Sequence, residues 1–121
     1  GELLMGLNSL ATIGVSQPTN LAIVVLDNEV YGETGKQKTH TGFGVDLAAV
    51  ATACGFTNSS IITDVNELTS LKKEVDGSGL MFAQVKVDSK SEELALPPRD
   101  GALLKNRFRE ALLGDQCHFS N

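Results

Sequence analysis

One uninterrupted apolar run constrains the fold of this chain more than any other feature. Residues 21–26 read Leu-Ala-Ile-Val-Val-Leu, without the polar alternation of a strand that has one face in water. Such a run is typical of parallel sheets covered on both faces, so we predict a central strand here. It leads directly into Asp27, Asn28 and a glycine-containing turn. Because ligands of open α/β sheets bind at the carboxyl ends of strands, we expect any site to begin at Asp27.

Helical and strand patterns alternate along the rest of the chain. The apolar pattern over residues 2–15 predicts one buried helix, which ends before Pro18 because proline cannot continue the hydrogen-bond ladder. Apolar periodicity, capping residues and turn residues predict three more helices and two more strands. The helices cover residues 45–54, 64–74 and 101–113, and the strands cover residues 60–63 and 80–87. Strands separated by helices indicate βαβ units, so the predicted fold class is α/β, a parallel sheet flanked by helices.

Length and composition restrict the class of protein. The 121 residues suffice for one domain, which we place at residues 1–113 with a tail at 114–121. No apolar run approaches the roughly 20 residues of a membrane span, so we expect none. The formal charge of −5 argues against nucleic-acid binding, which requires a surplus of Lys and Arg. The two cysteines, Cys54 and Cys117, have no metal-ligand spacing and fit a reducing cytoplasm, with Cys54 in the core.

The long polar segment after the first strand is the main candidate for function. Residues 27–44 contain four glycines and almost no core material, and loops longer than about 12–15 residues usually bind a ligand or are disordered. We favour binding. His40 is a candidate for proton transfer because imidazole titrates near neutrality, although a loop histidine is more often a solvated bystander. Lys36 and Lys38 could attract an anionic ligand, and they are also ordinary residues of a solvated loop.

Three segments carry a resemblance to a known family. Residues 26–35 read Leu-Asp-Asn-Glu-Val-Tyr-Gly-Glu-Thr-Gly, residues 37–41 read Gln-Lys-Thr-His-Thr, and residues 97–101 read Pro-Pro-Arg-Asp-Gly. Together with Gly1 ahead of the first helix, they resemble the C-terminal diphosphate-binding domain of thiamine diphosphate enzymes. The likeness is greatest to sulfopyruvate and phosphonopyruvate decarboxylases, with a chain like a beta subunit. In that family a Gly-Asp-Gly triplet precedes an Asn-Asn or Asp-Asn pair at a strand end, and Gly1 would be the last residue of the triplet.

The resemblance implies thiamine diphosphate and Mg²⁺ as cofactors. Asn28 would bind the metal through its side chain and Val30 through its carbonyl. The Asp of the triplet would be a third ligand, and it would precede Gly1, so this chain would lack the N-terminal part of the domain. The helix that begins near Gly1 would direct N–H groups at the diphosphate. The implied cofactor-binding residues are Gly1, Glu2, Leu3, Asn28, Val30, Tyr31, Gly32 and Thr34.

The resemblance also implies an activity and partners. The expected reaction is decarboxylation of a small anionic 2-oxo acid, sulfopyruvate or phosphonopyruvate, to an aldehyde and carbon dioxide. The expected partner is a pyrimidine-binding domain or subunit of the same enzyme, in a homo- or hetero-oligomer, with His40 as the catalytic candidate of this chain. Two alternatives stay open: another thiamine diphosphate enzyme similar to acetolactate synthase, and a noncatalytic α/β binding or regulatory module. The sequence assigns no role to Glu33 or Arg99.

Overall fold

A computed structural model describes residues 1–90, 93 and 95–114. They fall into two compact units, residues 1–90 and residues 91–121, and each is described by itself. Among the described residues, the first unit holds four α-helices, three short 3₁₀-helices and five strands, and the second holds one α-helix. The elements are α1 (Glu2–Met5), α2 (Ser9–Ser16), β1 (Asn20–Asp27), β2 (Val30–Tyr31), β3 (Gln37–Lys38), α3 (Leu47–Ala53), β4 (Asn58–Ile62), α4 (Leu68–Val75), β5 (Gly79–Lys86) and α5 (Gly101–Leu113).

The main sheet is parallel and has the strand order β1-β5-β4. Its first face packs on α2 and α3 through a cluster that includes Leu10, Leu47 and Phe82, and its second face packs on α4 through Leu71 and Met81. Helices therefore cover both faces, and the predicted α/β class with a parallel sheet is confirmed.

The prediction that the first strand is central was wrong for the described residues. Among the strands that the structure describes, the central one is β5, in which every side chain from Leu80 to Val85 is buried, and β1 pairs with β5 alone. One face of β1 packs on the core, whereas Val24 and Leu26 on its other face are exposed, Leu26 by 70%. An apolar run shows that both faces of a strand are hydrophobic, but it does not show that neighbouring elements cover both.

The predicted single helix over residues 2–15 is also wrong. The helix is interrupted at residues 6–8, where Gly6 and Ser9 donate to carbonyls three residues earlier instead of four. Gly6 and Asn8 are weak helix formers, which explains the position of the break. Nor is the segment buried on most sides, since Met5 and Val15 are 82% and 87% exposed.

Gly14 explains how α2 and α3 pack. A Cβ on Gly14 would lie 1.7 Å from the Cys54 carbonyl oxygen, so only glycine permits this approach. Gln17, in a left-handed conformation after α2, donates its side-chain amide to the carbonyls of Gly14 and Gly55. Cys54, predicted in the core, is half-buried and packs against the first core cluster, and Cys117 lies outside the described residues.

The remaining element predictions are confirmed to within a few residues. The capping box at α4 is present: the Asp64 carboxylate accepts from Asn66 N–H, and the Glu67 carboxylate accepts from Asp64 N–H. In the second unit, α5 begins and ends where predicted, and the Asp100 carboxylate caps it by accepting from the N–H groups of Ala102 and Leu103. Its apolar residues Leu104, Phe108 and Leu112 are exposed. The domain limit at residue 113 stays a prediction, and residues 115–121 of the predicted tail lie outside the described residues.

Candidate functional site

The candidate site is the turn that follows β1, as the sequence predicted. The Asp27 carboxylate accepts from Glu29 N–H at 3.0 Å, and the Asn28 side-chain oxygen accepts from Val30 N–H at 3.2 Å. These two bonds reverse the chain into the short hairpin of β2 and β3. Glu29 has a φ of +62°, a left-handed conformation that costs an L residue about 1 kcal/mol. The turn therefore needs contacts that hold it in place.

A cavity of about 400 Å³ opens beside this turn, which is within the size range of small-molecule sites. Of the eight residues predicted to bind cofactor, seven line it; Leu3 does not and packs against the core. The start of α1 and the turn after β1 thus form one surface. The lining residues are Gly1, Glu2, Met5, Leu26, Asn28, Val30, Tyr31, Gly32, Glu33 and Thr34.

Tyr31 connects the cavity with the predicted catalytic residue. Its ring lies against Gly1, where an added Cβ would come within 3.1 Å of the Tyr31 Cδ1 atom. Its hydroxyl lies 3.4 Å from His40 Nδ1, on an exposed part of the loop. His40 is therefore at the rim of the site, beyond the residues that line the cavity. Its catalytic role stays a prediction.

The sequence prediction missed a buried polar network under the turn. Asp27 is only 7% exposed, and its carboxylate accepts from Thr41 Oγ1 at 2.6 Å, Gln84 Nε2 at 2.6 Å and Lys86 Nζ at 2.8 Å. The Gln84 side-chain oxygen accepts in turn from Leu47 N–H at the start of α3. One signal was available, because Gln84 lies in an apolar strand and a buried amide requires partners.

The polar loop also contributes more to the interior than expected. Thr39 and Thr41 are 2% and 5% exposed, and their hydroxyl oxygens lie 2.8 Å apart. The prediction that residues 27–44 contain almost no core material was therefore wrong. Hydrogen bonds inside the protein substitute for apolar contacts here.

Electrostatics favours the ionised form of the network. Burial alone would raise the pKa of Asp27, but hydrogen bonds from Lys86, Thr41, Gln84 and Glu29 N–H outweigh it and lower the pKa to about 2. For Lys86, burial opposes the charge, whereas the carboxylates of Asp27 and Glu29 raise the pKa above its usual value. Asp27 and Lys86 are therefore both charged at neutral pH and form an ion pair.

The other charged residues of the loop have varied surroundings. Lys36 Nζ donates to the Ser89 carbonyl oxygen at 3.0 Å, and Lys38 Nζ lies 5.6 Å from the centre of the Phe43 ring. Neither lysine lines the cavity, whereas Glu33 does. Arg99 belongs to the second unit, so the structure does not relate it to the site.

Comparison with known proteins identifies the family. Residues 1–85 match the family described as "Thiamine pyrophosphate enzyme, C-terminal TPP binding domain". The chain belongs to this family. The match contains both the start of α1 and the turn after β1, which together line the cavity.

Curated relatives of this thiamine pyrophosphate-binding domain include two kinds of decarboxylase. The chain is 36% identical to "Sulfopyruvate decarboxylase subunit beta" of Methanocaldococcus jannaschii over 93% of its length and 60% of the relative's. It is 38% identical to "Phosphonopyruvate decarboxylase" of Streptomyces viridochromogenes over 90% of its length and 28% of the relative's. The chain is 31% identical to "Sulfopyruvate decarboxylase subunit beta" of Methanococcus maripaludis, over 93% of the chain and 60% of that relative. The chain therefore spans 60% or less of these relatives.

The residues around the cavity fit the cofactor of this family. The Asn28 amide oxygen accepts one hydrogen bond and has a second lone pair for a cation. The carbonyls of Glu29 and Tyr31 accept from Thr39 and Lys36 N–H. Successive carbonyls of a strand point in opposite directions, so the Val30 carbonyl faces away from β3. No group of three or more His, Cys, Asp or Glu residues suited to a metal occurs among the described residues, and the predicted ligands are not of that kind.

Within the described residues, no helix is both long enough and apolar enough to cross a bilayer.

Proposed function

We propose that this chain is the diphosphate- and metal-binding part of a decarboxylase that depends on thiamine diphosphate and Mg²⁺. Its substrate is a small anionic 2-oxo acid of the sulfopyruvate or phosphonopyruvate type, and the products are an aldehyde and carbon dioxide. The observation that carries the proposal is the single cavity shared by Gly1, Asn28, Val30 and Tyr31. The names of the relatives support the choice of substrate.

Two neutral oxygens of this chain are the proposed metal ligands. The Asn28 side chain and the Val30 carbonyl are the hard oxygen donors that Mg²⁺ prefers, and they leave its positive charge to neutralise phosphate. Tyr31, Gly32 and Thr34 also line the cavity and are further proposed contacts of the cofactor. Thiamine diphosphate, when bound, supplies the electron sink for loss of carbon dioxide from the 2-oxo acid. The chain itself binds, orients and shields that group.

His40 is the proposed proton-transfer residue of this chain. Its exposed ring at the rim, with Nδ1 near the Tyr31 hydroxyl, can exchange protons with solvent. A positioned general acid or base contributes about 10²–10⁴-fold to a rate. His40→Gln should therefore lower kcat without weakening thiamine diphosphate binding, whereas a loss of binding with unchanged kcat would contradict the assignment.

The proposal includes a partner and a location. Two relatives at 60% coverage are named as beta subunits, which supports a hetero-oligomer in which a pyrimidine-binding partner completes the site. The free, half-buried Cys54 is compatible with a reducing cytoplasm.

The deciding experiment is an assay of the assembled enzyme that contains this chain, co-expressed with its candidate partner. Carbon dioxide release would be measured from sulfopyruvate, phosphonopyruvate and pyruvate, with and without thiamine diphosphate and Mg²⁺. We expect cofactor-dependent turnover of one of the two anionic acids. Acetolactate formation from pyruvate would favour the synthase alternative. Absence of both turnover and cofactor binding by calorimetry would favour a noncatalytic module.

A further inference from the structure

The turn between Asp27 and Val30 is held from below by one lysine. Lys86, the last residue of the central strand β5, is paired with Asp27 in the parallel register of β1 and β5. Its Nζ atom donates to Asp27 Oδ2 at 2.8 Å and to Glu29 Oε1 at 2.7 Å. A single ammonium group thus binds the carboxylates on both sides of Asn28.

The same contacts hold Glu29 in its left-handed conformation. Its side chain is bound by Lys86, its N–H donates to Asp27, and its carbonyl accepts from Thr39 N–H at 2.9 Å. Gly42 packs directly against that carbonyl, where an added Cβ would lie 2.9 Å from the oxygen. The side chain, the N–H group and the carbonyl of Glu29 are therefore each held by a separate contact.

The orientation of Glu29 determines where its neighbours place their oxygens. The Asn28 side chain bonds across Glu29 to Val30 N–H, so the amide oxygen and the Val30 carbonyl move with the backbone of Glu29. Lys86 also forms ion pairs with the carboxylates of Asp27 and Glu29, which flank Asn28 in the sequence. The side chains of Lys86 and Asp27 are 29% and 7% exposed, so their ion pair is shielded from solvent, whereas the Glu29 carboxylate is 47% exposed.

We propose that Lys86, acting through Asp27 and Glu29, is a positioning residue that makes the site selective for Mg²⁺ over larger divalent cations. The inference rests on the proposed function, in which Asn28 and Val30 are metal ligands. Mg²⁺ requires near-ideal octahedral geometry at 2.0–2.1 Å, whereas Ca²⁺ accepts flexible geometry at 2.3–2.6 Å. A turn with fixed geometry favours binding of Mg²⁺, whereas a turn with looser geometry favours binding of Ca²⁺.

The test measures metal selectivity rather than activity. Thiamine diphosphate binding to the assembled enzyme would be followed by calorimetry while Mg²⁺ or Ca²⁺ is titrated, for the wild type, Lys86→Met and Lys86→Arg. We expect Lys86→Met to raise the Mg²⁺ midpoint at least 10-fold and the Ca²⁺ midpoint less than 3-fold. Lys86→Arg, which keeps the charge, should recover part of the Mg²⁺ preference.

Two further variants keep the result interpretable. Glu29→Gln weakens only the exposed ion pair of Lys86 with Glu29 and leaves its pair with Asp27 in place. This variant should shift the metal selectivity in the same direction as Lys86→Met, and it provides the test if Lys86→Met does not fold. Lys72→Met, which removes the surface ion pair between Lys72 on α4 and Asp76 directly after it, is the matched control and should leave both midpoints unchanged.

The outcomes separate this inference from the proposed function. If the wild type binds thiamine diphosphate with neither metal, the proposed function fails. If the wild type binds it, and Lys86→Met or Glu29→Gln is folded by thermal unfolding and keeps the wild-type ratio of Mg²⁺ to Ca²⁺ midpoints, the positioning role is wrong. An equal loss for both metals would also contradict it, because general destabilisation does not discriminate between cations.

Discussion

Two cavities lie at the carboxyl edge of the same parallel sheet, and they differ in what lines them. The cavity after β1 presents the Asn28 amide, the hairpin backbone and two glycines. The cavity after β4 and β5, about 300 Å³, is lined by apolar side chains such as Val65 and Leu68 together with Thr63, Asp64 and Lys86, and neither an amide side chain nor a glycine is among its lining residues. Position at the strand ends is therefore insufficient to define a site. Convergent polar groups on a fixed turn make the difference.

The largest expected effect is at Asn28. Asn28→Ala should weaken Mg²⁺-dependent thiamine diphosphate binding by at least about 1,000-fold, or about 4 kcal/mol, because it removes a proposed ligand. Calorimetry on the assembled enzyme measures this loss. Asn20→Ala, at the exposed amino end of the same strand, is the matched control and should bind normally. Unchanged affinity of the Asn28 variant would remove the main distinction between the two cavities.

A smaller effect is expected at the buried amide below the turn. Gln84→Leu leaves the Leu47 N–H group and one bond of Asp27 unsatisfied, which should lower the free energy of unfolding by about 3 kcal/mol. Urea unfolding of the chain provides the measurement. Gln84→Glu keeps the acceptor for Leu47 but adds a negative charge beside Asp27, so it should also destabilise. A loss below about 0.5 kcal/mol for both would show that the network contributes little.

Acid should loosen the site cavity through Asp27. Its pKa of about 2 in the folded chain is below the usual 3.8, so the ionised carboxylate stabilises the fold above pH 3.8. That contribution, about 2 kcal/mol, is lost as the pH falls from 3.8 towards 2. Urea unfolding in chelator between pH 5 and pH 2 measures it. Asp27→Asn should flatten this part of the pH dependence, and an unchanged slope would contradict the assignment.

The smallest effect is expected in the cavity after β4 and β5. Val65 lines this cavity and is 74% exposed. Val65→Ser should therefore change the free energy of unfolding by less than about 0.5 kcal/mol and leave cofactor binding intact. Thermal unfolding and calorimetry on the same samples test both statements. A clear loss of cofactor affinity would mean that the second cavity belongs to the site.

Local sequence was sufficient to predict the residues of the turn after β1, but not the distant residues that hydrogen-bond to it. Asn28, Val30 and Tyr31 lie within four residues of one another, so a motif could identify them together. Lys86 and Gln84 reach Asp27 from 59 and 57 residues away, and only the register of β1 with β5 brings them there. Patterns of polarity do not encode that register.

The errors in the fold have a similar origin. Residues 21–26 are apolar on both faces, yet the order of strands in the sheet depends on pairing that no single strand specifies. The helix break at Gly6 is a balance between weak local propensity and an apolar pattern that continues through it. By contrast, α5 and the capping box of α4 depend on neighbouring residues and were predicted correctly.

The strand order has a consequence for folding. Among the described residues, β1 and β4 each pair only with β5, which is the last of the three along the chain, so these three strands cannot pair until residues 79–86 have been synthesised. Long-range pairing of this kind is slow, since loop closure precedes the contacts that reward it. Lys86 is the final residue of β5, so its ion pairs with Asp27 and Glu29 can form only after this last strand is complete. The pairing of these three strands and the contacts that order the binding turn therefore depend on the same segment of the chain.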